Sequence, residues 1–152
     1  MVAPGELAPD FHVTTTEGGS FRLSEHRGKS NVVLFFYPGD FTPVCTKEAC
    51  GFRDMFSELQ AKDTLILGVS DDSDASHAKF AAAYKIEYPL VSDPEHALAK
   101  QYGATGFLSK VLGRISRTTV VIDKSGRVAA VVKGELSANA HLSGVQEALD
   151  AL

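Results

Sequence analysis

Residues 31–50 read NVVLFFYPGDFTPVCTKEAC, an apolar run followed by two prolines and a polar segment. The run Val32–Tyr37 is continuously apolar, which is typical of a strand buried on both faces of a sheet covered by helices. Thr42 and Pro43 then favour the start of a helix, because a threonine can cap a free amide and proline lacks the amide that would be unpaired. The stretch therefore predicts a buried strand, a short loop and a helix.

Patterns on both sides of this stretch complete the predicted fold. Short apolar runs bounded by turn residues predict further strands, two pairs of which form hairpins: Phe11–Thr16 with Phe21–Leu23, Leu65–Val69, and Thr118–Ile122 with Val128–Val132. Helical spacing of apolar residues predicts four helices: one running from Pro43 to about Leu59, then Ser73–Tyr84, Pro94–Tyr102 with its proline at N1, and Ala138–Leu152. The order predicts an α/β protein with a thioredoxin-like fold, a mixed central sheet flanked by helices and an N-terminal hairpin extension.

Composition bounds the function. The chain has 152 residues, of which 44% are hydrophobic and 22% charged, so we expect a single globular domain over residues 1–152. The net charge of -4 argues against nucleic-acid binding, which depends on cationic side chains. The longest apolar run is far shorter than the ~20 residues that span a bilayer, so no membrane association is expected. The N-terminus, MVAPGELAPDF, lacks a basic segment before an apolar one, which predicts no secretory signal and a cytoplasmic location.

The cysteines Cys45 and Cys50 are too few for a disulfide scaffold. If Pro43 is N1 of the helix, Cys45 is N3 and lies in the first turn, where free amides and the helix dipole favour negative charge. A thiol in this position is expected to form the nucleophilic thiolate readily. The alternative is a buried, inert cysteine on an amphipathic helix.

The spacing of the two cysteines constrains any disulfide between them. Five residues of ideal helix rise about 7.5 Å and turn about 140°, which separates the two Cα atoms by about 8.7 Å. A disulfide requires no more than about 7 Å. If the two cysteines do form a bond, this part of the helix must unwind, and Gly51 favours unwinding because glycine is a poor helix former.

These residues resemble the active site of the peroxiredoxin family. The spacing Pro38-x-x-x-Thr42-x-x-Cys45 matches the family pattern, and the string CTKEACGFRD is similar to the peroxiredoxin Q or bacterioferritin comigratory protein subfamily. The resemblance extends from APDF near the N-terminus through RTTVVID to the last helix. It implies that Cys45 is the peroxidatic cysteine and that Arg117 is the active-site arginine, with Arg114 as a competing candidate.

The resemblance further implies roles for the other residues. Pro38, Thr42 and Arg117 would contact the peroxide, and Glu48 would either orient the arginine or lie on the solvated helix surface. Cys45 would become a sulfenic acid, and Cys50 would resolve it as an intramolecular disulfide. Thioredoxin or a similar dithiol protein would reduce that disulfide, and no metal or organic cofactor would be needed. The subfamily resemblance suggests a monomer, with a dimer as the alternative.

Other functions remain open at this point. A one-cysteine peroxiredoxin would use an external thiol in place of Cys50. A thioredoxin-type disulfide oxidoreductase requires Cys-x-x-Cys, whereas this chain has four residues between its cysteines. A binding module that had lost its activity would have no reason to keep Thr42, Cys45 and Arg117.

We predict no metal site. The acidic residues at 71, 72 and 74 precede a helix and are expected to act as caps. The histidines lack the spacing of metal ligands and are expected at the surface or at caps: His12, His26, His77, His96 and His141.

Overall fold

The computed structural model describes residues 2–105, 113–135 and 137–152. Its strands are β1 His12–Thr14, β2 Ser20–Arg22, β3 Asn31–Phe36, β4 Thr64–Ser70, β5 Leu90–Ser92, β6 Thr118–Ile122 and β7 Val128–Lys133. Strands β1 and β2 form an antiparallel hairpin, and the other strands form one mixed sheet in the order β5-β4-β3-β6-β7. In this sheet β3, β4 and β5 are parallel, whereas β6 is antiparallel to both β3 and β7.

The helices connect these strands. A short 3-10 helix spans Leu23–His26, and the α-helices are α1 Pro43–Asp54, α2 Phe56–Ala61, α3 Asp74–Tyr84, α4 Ala97–Tyr102 and α5 Ala138–Asp150. Ser73 and Ser137 cap α3 and α5 by accepting hydrogen bonds from the amides of Ser76 and Ala140. The two caps satisfy amides that have no partner within their own helix.

The central strand β3 contributes to a hydrophobic core on each face of the sheet. Val33 and Phe35 belong to the core that includes buried residues of α1, α3 and α5. Leu34 and Phe36 belong to the other core, which includes residues of the β1–β2 hairpin and of α4. All four side chains are fully buried, because successive residues of a strand point to opposite faces and both faces are covered. The predicted α/β fold with a mixed sheet is confirmed.

Two predicted helices differ from the structure. The predicted helix from Pro43 to about Leu59 is divided into α1 and α2 at Met55, whose φ of -85° and ψ of -3° depart from regular helix geometry. The helix predicted to begin at Pro94 begins at Ala97 instead. The carboxylate of Asp93 accepts hydrogen bonds from amides in the first turn of α4, so capping starts the helix later and leaves Pro94 in the preceding turn.

Candidate active site

The loop between β3 and α1 places Cys45 at the carboxyl end of the central strand. Half-buried Pro38 lies in this loop, and Thr42 is the N-cap residue of α1, which makes Cys45 the third residue of the helix. The Cys45 side chain is fully buried, whereas Thr42 is exposed. The predicted capping bond is wrong, because the Thr42 hydroxyl donates to the carbonyl of Gly39 at 2.9 Å and caps no amide.

The guanidinium of Arg117 contacts the sulfur of Cys45. Arg117 directly precedes β6, which pairs with β3 so that Thr118 lies opposite Phe36 at the end of the central strand. Nη2 of Arg117 lies 3.1 Å from Sγ of Cys45, and Nη1 donates to Oε1 of Glu48 at 2.8 Å. Sheet pairing thus brings together two residues that are 72 positions apart.

Burial and charge act in opposite directions in this cluster. Burial raises the pKa of Glu48 to about 7, although the Arg117 guanidinium acts to lower it. Burial lowers the pKa of Arg117, but the Cys45 sulfur and the Glu48 carboxylate outweigh burial and raise it above its ordinary value. Arg117 therefore stays protonated and places a permanent positive charge beside the Cys45 sulfur.

Glu135 holds Arg117 from the opposite side. The backbone amide of Arg117 donates to Oε1 of Glu135 at 2.7 Å, and Nε of Arg117 donates to the carbonyl oxygen of Glu135 at 3.0 Å. The competing candidate Arg114 is different, since its side chain is 41% exposed and forms ion pairs with Asp71 at 3.1 Å and Asp72 at 3.6 Å. Arg117, and not Arg114, therefore contacts the Cys45 sulfur.

A buried polar cluster fastens the loop that precedes α1. Oδ1 of Asp40 accepts from the hydroxyl of Tyr37 at 2.7 Å, and Oδ2 lies 2.8 Å from Nδ1 of His77. The backbone amide of Asp40 donates to Oδ2 of Asp72 at 2.7 Å. Asp40, Asp72 and His77 are also close enough to hold a metal ion, with ligand atoms within 4.8 Å of one another. These atoms already take part in hydrogen bonds, which connect Asp40 of the loop to Asp72 after β4 and to His77 of α3. The cluster therefore holds the loop in place without a metal ion.

Cys50 lies in the same helix as Cys45, and both are free thiols. Cys50 is half-buried, and burial raises the pKa of its thiol, with the Arg53 guanidinium opposing this effect. The neighbouring Gly51 packs against α5, because a Cβ atom at that position would lie 2.3 Å from Cδ1 of Leu142. Gly51 is therefore needed for the close approach of α1 and α5 as well as being a weak point of the helix.

Comparison with known proteins identifies the family. The model of the AhpC/TSA family matches residues 4–131. The chain is a peroxiredoxin of this family. Peroxiredoxin Bcp of Bacillus subtilis is 41% identical to this peroxiredoxin over 128 residues, covering 82% of this chain and 80% of the relative. Peroxiredoxin Q of Sedum lineare, a chloroplast protein, is 36% identical over 151 residues, covering 99% and 80%.

Solved structures agree with the sequence comparison. The crystal structure of peroxidoxin BcpB from Mycobacterium tuberculosis superimposes on this peroxiredoxin with a TM-score of 0.88 and 37% sequence identity, covering 100% of this chain and 99% of that one. The predicted resemblance and the thioredoxin-like fold are thereby confirmed. The family makes this peroxiredoxin a thiol-dependent peroxidase. Every helix in the described part of the chain is too short or too polar to cross a bilayer.

Sequence reasoning missed the two buried histidines of this peroxiredoxin. His77 and His141 were expected at the surface or at caps, yet both side chains are fully buried. Each is the one histidine of its helix, and nothing in the local pattern distinguishes a buried histidine from an exposed one. Glu48 was given two interpretations, and its ion pair with Arg117 supports the one in which it orients the arginine.

Proposed function

We propose that this peroxiredoxin reduces hydrogen peroxide and organic hydroperoxides at Cys45. The observation that carries the proposal is the 3.1 Å contact between Nη2 of Arg117 and Sγ of a fully buried cysteine. A guanidinium in this position can stabilise the thiolate and at the same time donate a hydrogen bond to a peroxide oxygen. The Thr42 oxygen can accept a hydrogen bond from the peroxide, and Pro38 restricts access to the thiolate.

In the first step, the Cys45 thiolate attacks one peroxide oxygen. An S–O bond forms while the O–O bond breaks, and the departing oxygen takes up a proton and leaves as water or an alcohol. The sulfur is oxidised by two electrons to a sulfenic acid, and the peroxide is reduced by the same two. Arg117 and the amides at the start of α1 stabilise the negative charge that moves to the departing oxygen.

In the second step, the Cys50 thiolate attacks the sulfur of the Cys45 sulfenic acid. The S–S bond forms and the S–O bond breaks, and the departing hydroxide takes up the proton that the Cys50 thiol released, giving water. Because both cysteines lie in one intact helix, α1 must unwind locally before their sulfurs can meet. Thioredoxin or a similar dithiol protein then reduces the disulfide and restores both thiols.

The alternative is a one-cysteine peroxidase that uses an external thiol. The half-buried position of Cys50 and the raised pKa of its thiol favour this alternative while α1 remains folded. The thioredoxin-type oxidoreductase is less well supported, because Cys45 is fully buried and its partner is five positions away in the same helix.

The test is stoichiometric oxidation of the reduced protein. One equivalent of hydrogen peroxide is added, free thiols are counted and the intact mass is measured. We expect loss of both thiols and a mass decrease of two hydrogens. A sulfenic or sulfinic adduct on Cys45 alone would support the one-cysteine alternative. Two unreacted thiols would contradict peroxide reduction at Cys45.

Tyr88 provides a test of the unwinding step. Its fully buried hydroxyl donates to the carbonyl oxygen of Ala49 at 2.7 Å, next to Cys50 in the middle of α1. Replacing Tyr88 with phenylalanine is expected to weaken the docking of α1 by about 1 kcal/mol, the usual contribution of one hydrogen bond. The disulfide should then form about fivefold faster after the same oxidation of Cys45. Rapid quenching with an alkylating agent, followed by mass spectrometry, measures that rate.

The matched control is Tyr84→Phe, which removes a hydroxyl from α3 that makes no hydrogen bond to the described residues. We expect it to leave disulfide formation unchanged. An equal acceleration in both variants, or none in Tyr88→Phe, would contradict the role given to the Tyr88 hydrogen bond.

A further inference from the structure

His141 lies behind the Arg117–Glu48 pair and has no part in the mechanism above. It belongs to α5, and its side chain is fully buried. Nε2 lies 2.8 Å from the carbonyl oxygen of Gly134, and Nδ1 lies 2.7 Å from the hydroxyl of Thr119. Because a carbonyl oxygen can only accept, Nε2 must carry a hydrogen. In the neutral ring Nδ1 is then an acceptor, and the Thr119 hydroxyl donates to it.

Thr119 has one hydroxyl hydrogen and two acceptors within reach. The first is Nδ1 of His141 at 2.7 Å, and the second is the carboxylate of Glu48, whose pKa a hydrogen bond from Thr119 acts to lower. When the hydrogen is on His141, Oε2 of Glu48 has no hydrogen-bond donor among the residues that the structure describes, although Nδ1 is only 3.5 Å away. A buried carboxylate oxygen without a donor disfavours the charged form of Glu48.

We propose that His141 is a positioning residue for the peroxidase reaction. By drawing the Thr119 hydrogen away from Glu48, it leaves Oε2 of that carboxyl group without a donor and so disfavours the charged carboxylate. The charge on Glu48 in turn determines how firmly Arg117 is held against the Cys45 sulfur. The proposal rests on the proposed function, because it concerns the reactivity of Cys45 toward peroxide.

The surroundings of His141 support this arrangement. The charged or titratable groups that face His141 are Glu48 on α1 and Arg117 before β6. Glu48 itself is faced by Arg117 and by Glu135 after β7, and its charge raises the pKa of the buried Tyr88. Burial lowers the pKa of His141, the hydrogen bond to Gly134 opposes this, and the Arg117 charge lowers it further. The His141 ring is therefore neutral at neutral pH, whereas the pKa of Glu48 is raised to about 7, close to that pH.

The test measures the titration of Glu48 directly. The protein is labelled with ¹³C at glutamate carboxyl groups, and the Glu48 signal is assigned by its absence in Glu48→Gln. The His141→Phe variant keeps a ring of similar shape but removes the acceptor, so the Thr119 hydrogen becomes available to Glu48. We expect the midpoint of the Glu48 titration to fall by about one pH unit.

Two further variants separate this role from a structural one. Thr119→Val removes the hydroxyl and should not lower the midpoint. His141→Asn restores an amide oxygen near the position of Nδ1, so it should return the midpoint toward that of the unmodified protein. The pH dependence of the rate constant for Cys45 oxidation by hydrogen peroxide should shift in the same direction as the Glu48 midpoint in each variant.

The outcomes are distinguishable. The proposal is overturned if His141→Phe leaves the Glu48 midpoint unchanged, or if Thr119→Val lowers the midpoint as His141→Phe does. It is also overturned if the midpoint changes while the pH dependence of Cys45 oxidation stays the same. If Cys45 is not oxidised even in the unmodified protein, the proposed function fails while the titration still tests the link from His141 to Glu48. Should His141→Phe not fold, ¹⁵N spectra of the unmodified protein decide the matter, because a hydrogen on Nδ1 in neutral His141 would overturn the proposal.

Discussion

Replacing Arg117 with lysine is expected to lower the second-order rate constant for Cys45 oxidation by hydrogen peroxide roughly 10²–10³-fold, the usual loss when a donor to a developing negative charge is removed. The planar guanidinium reaches Sγ of Cys45 and Oε1 of Glu48 with different nitrogens. A lysine ammonium is a single point charge and cannot make both contacts in this geometry. Quenched-flow measurement of free thiol against time gives the rate constant.

Arg114→Lys is the matched control, since it is the same substitution three positions earlier on a side chain paired with Asp71 and Asp72. We expect it to leave the rate constant unchanged. The loss in Arg117→Lys should appear in the rate constant of the folded protein, with the circular dichroism spectrum unchanged at the assay temperature. Equal losses in the two variants would show that a general positive field, and not the contact with the sulfur, accelerates the reaction.

Replacing Cys50 with serine is expected to abolish turnover supported by a dithiol protein while leaving the first oxidation of Cys45 at its normal rate. Arg117 contacts both Glu48 and the Cys45 sulfur without involving Cys50, so the first step should be intact. Without Cys50 the sulfenic acid has no internal thiol to attack it, and further peroxide should oxidise it to the sulfinic acid. Steady-state peroxide consumption with thioredoxin and its reductase measures turnover, and intact mass measures over-oxidation.

Each cysteine variant serves as the control for the other. Cys45→Ser should remove both the first oxidation and the turnover, whereas Cys50→Ser should remove only the turnover. If Cys50→Ser continued to consume peroxide with the dithiol protein at the normal rate, the one-cysteine mechanism would replace the proposed one. The ratio of first-turnover to steady-state rate therefore assigns the resolving thiol.

Local sequence patterns predicted the parts of the fold that depend on local physics. Val32–Tyr37 is apolar because both faces of β3 are covered, and Thr42-Pro43 places the start of α1 at Pro43. The interior helix boundaries were harder to predict. The carboxylate of Asp93, which lies outside α4, caps the amides of its first turn. The spacing of apolar residues within the helix gives no sign of this contact.

The short strand β5 was missed because pairing, and not composition, makes it a strand. Leu90–Ser92 spans three residues and pairs with Gly68–Ser70 of β4, more than twenty positions earlier in the chain.

The burial of His141 also depends on tertiary contacts. Motifs predicted Cys45 and Arg117, whereas His141 is buried because α5 packs against β6 and α1. Such contacts depend on the register of distant elements, which single positions do not encode.

The two hydrogen bonds from Arg117 to Glu135 have a thermodynamic consequence. A free arginine side chain loses about 2 kcal/mol of rotamer entropy when it is fixed in one conformation. Here Glu135 already holds the backbone amide and Nε, and Glu48 holds Nη1. The entropy of fixing this side chain is therefore lost when the protein folds and not when peroxide binds. Peroxide reduction should therefore show an activation entropy that reflects capture of the substrate alone, and loosening the Glu135 contact should make that entropy more unfavourable.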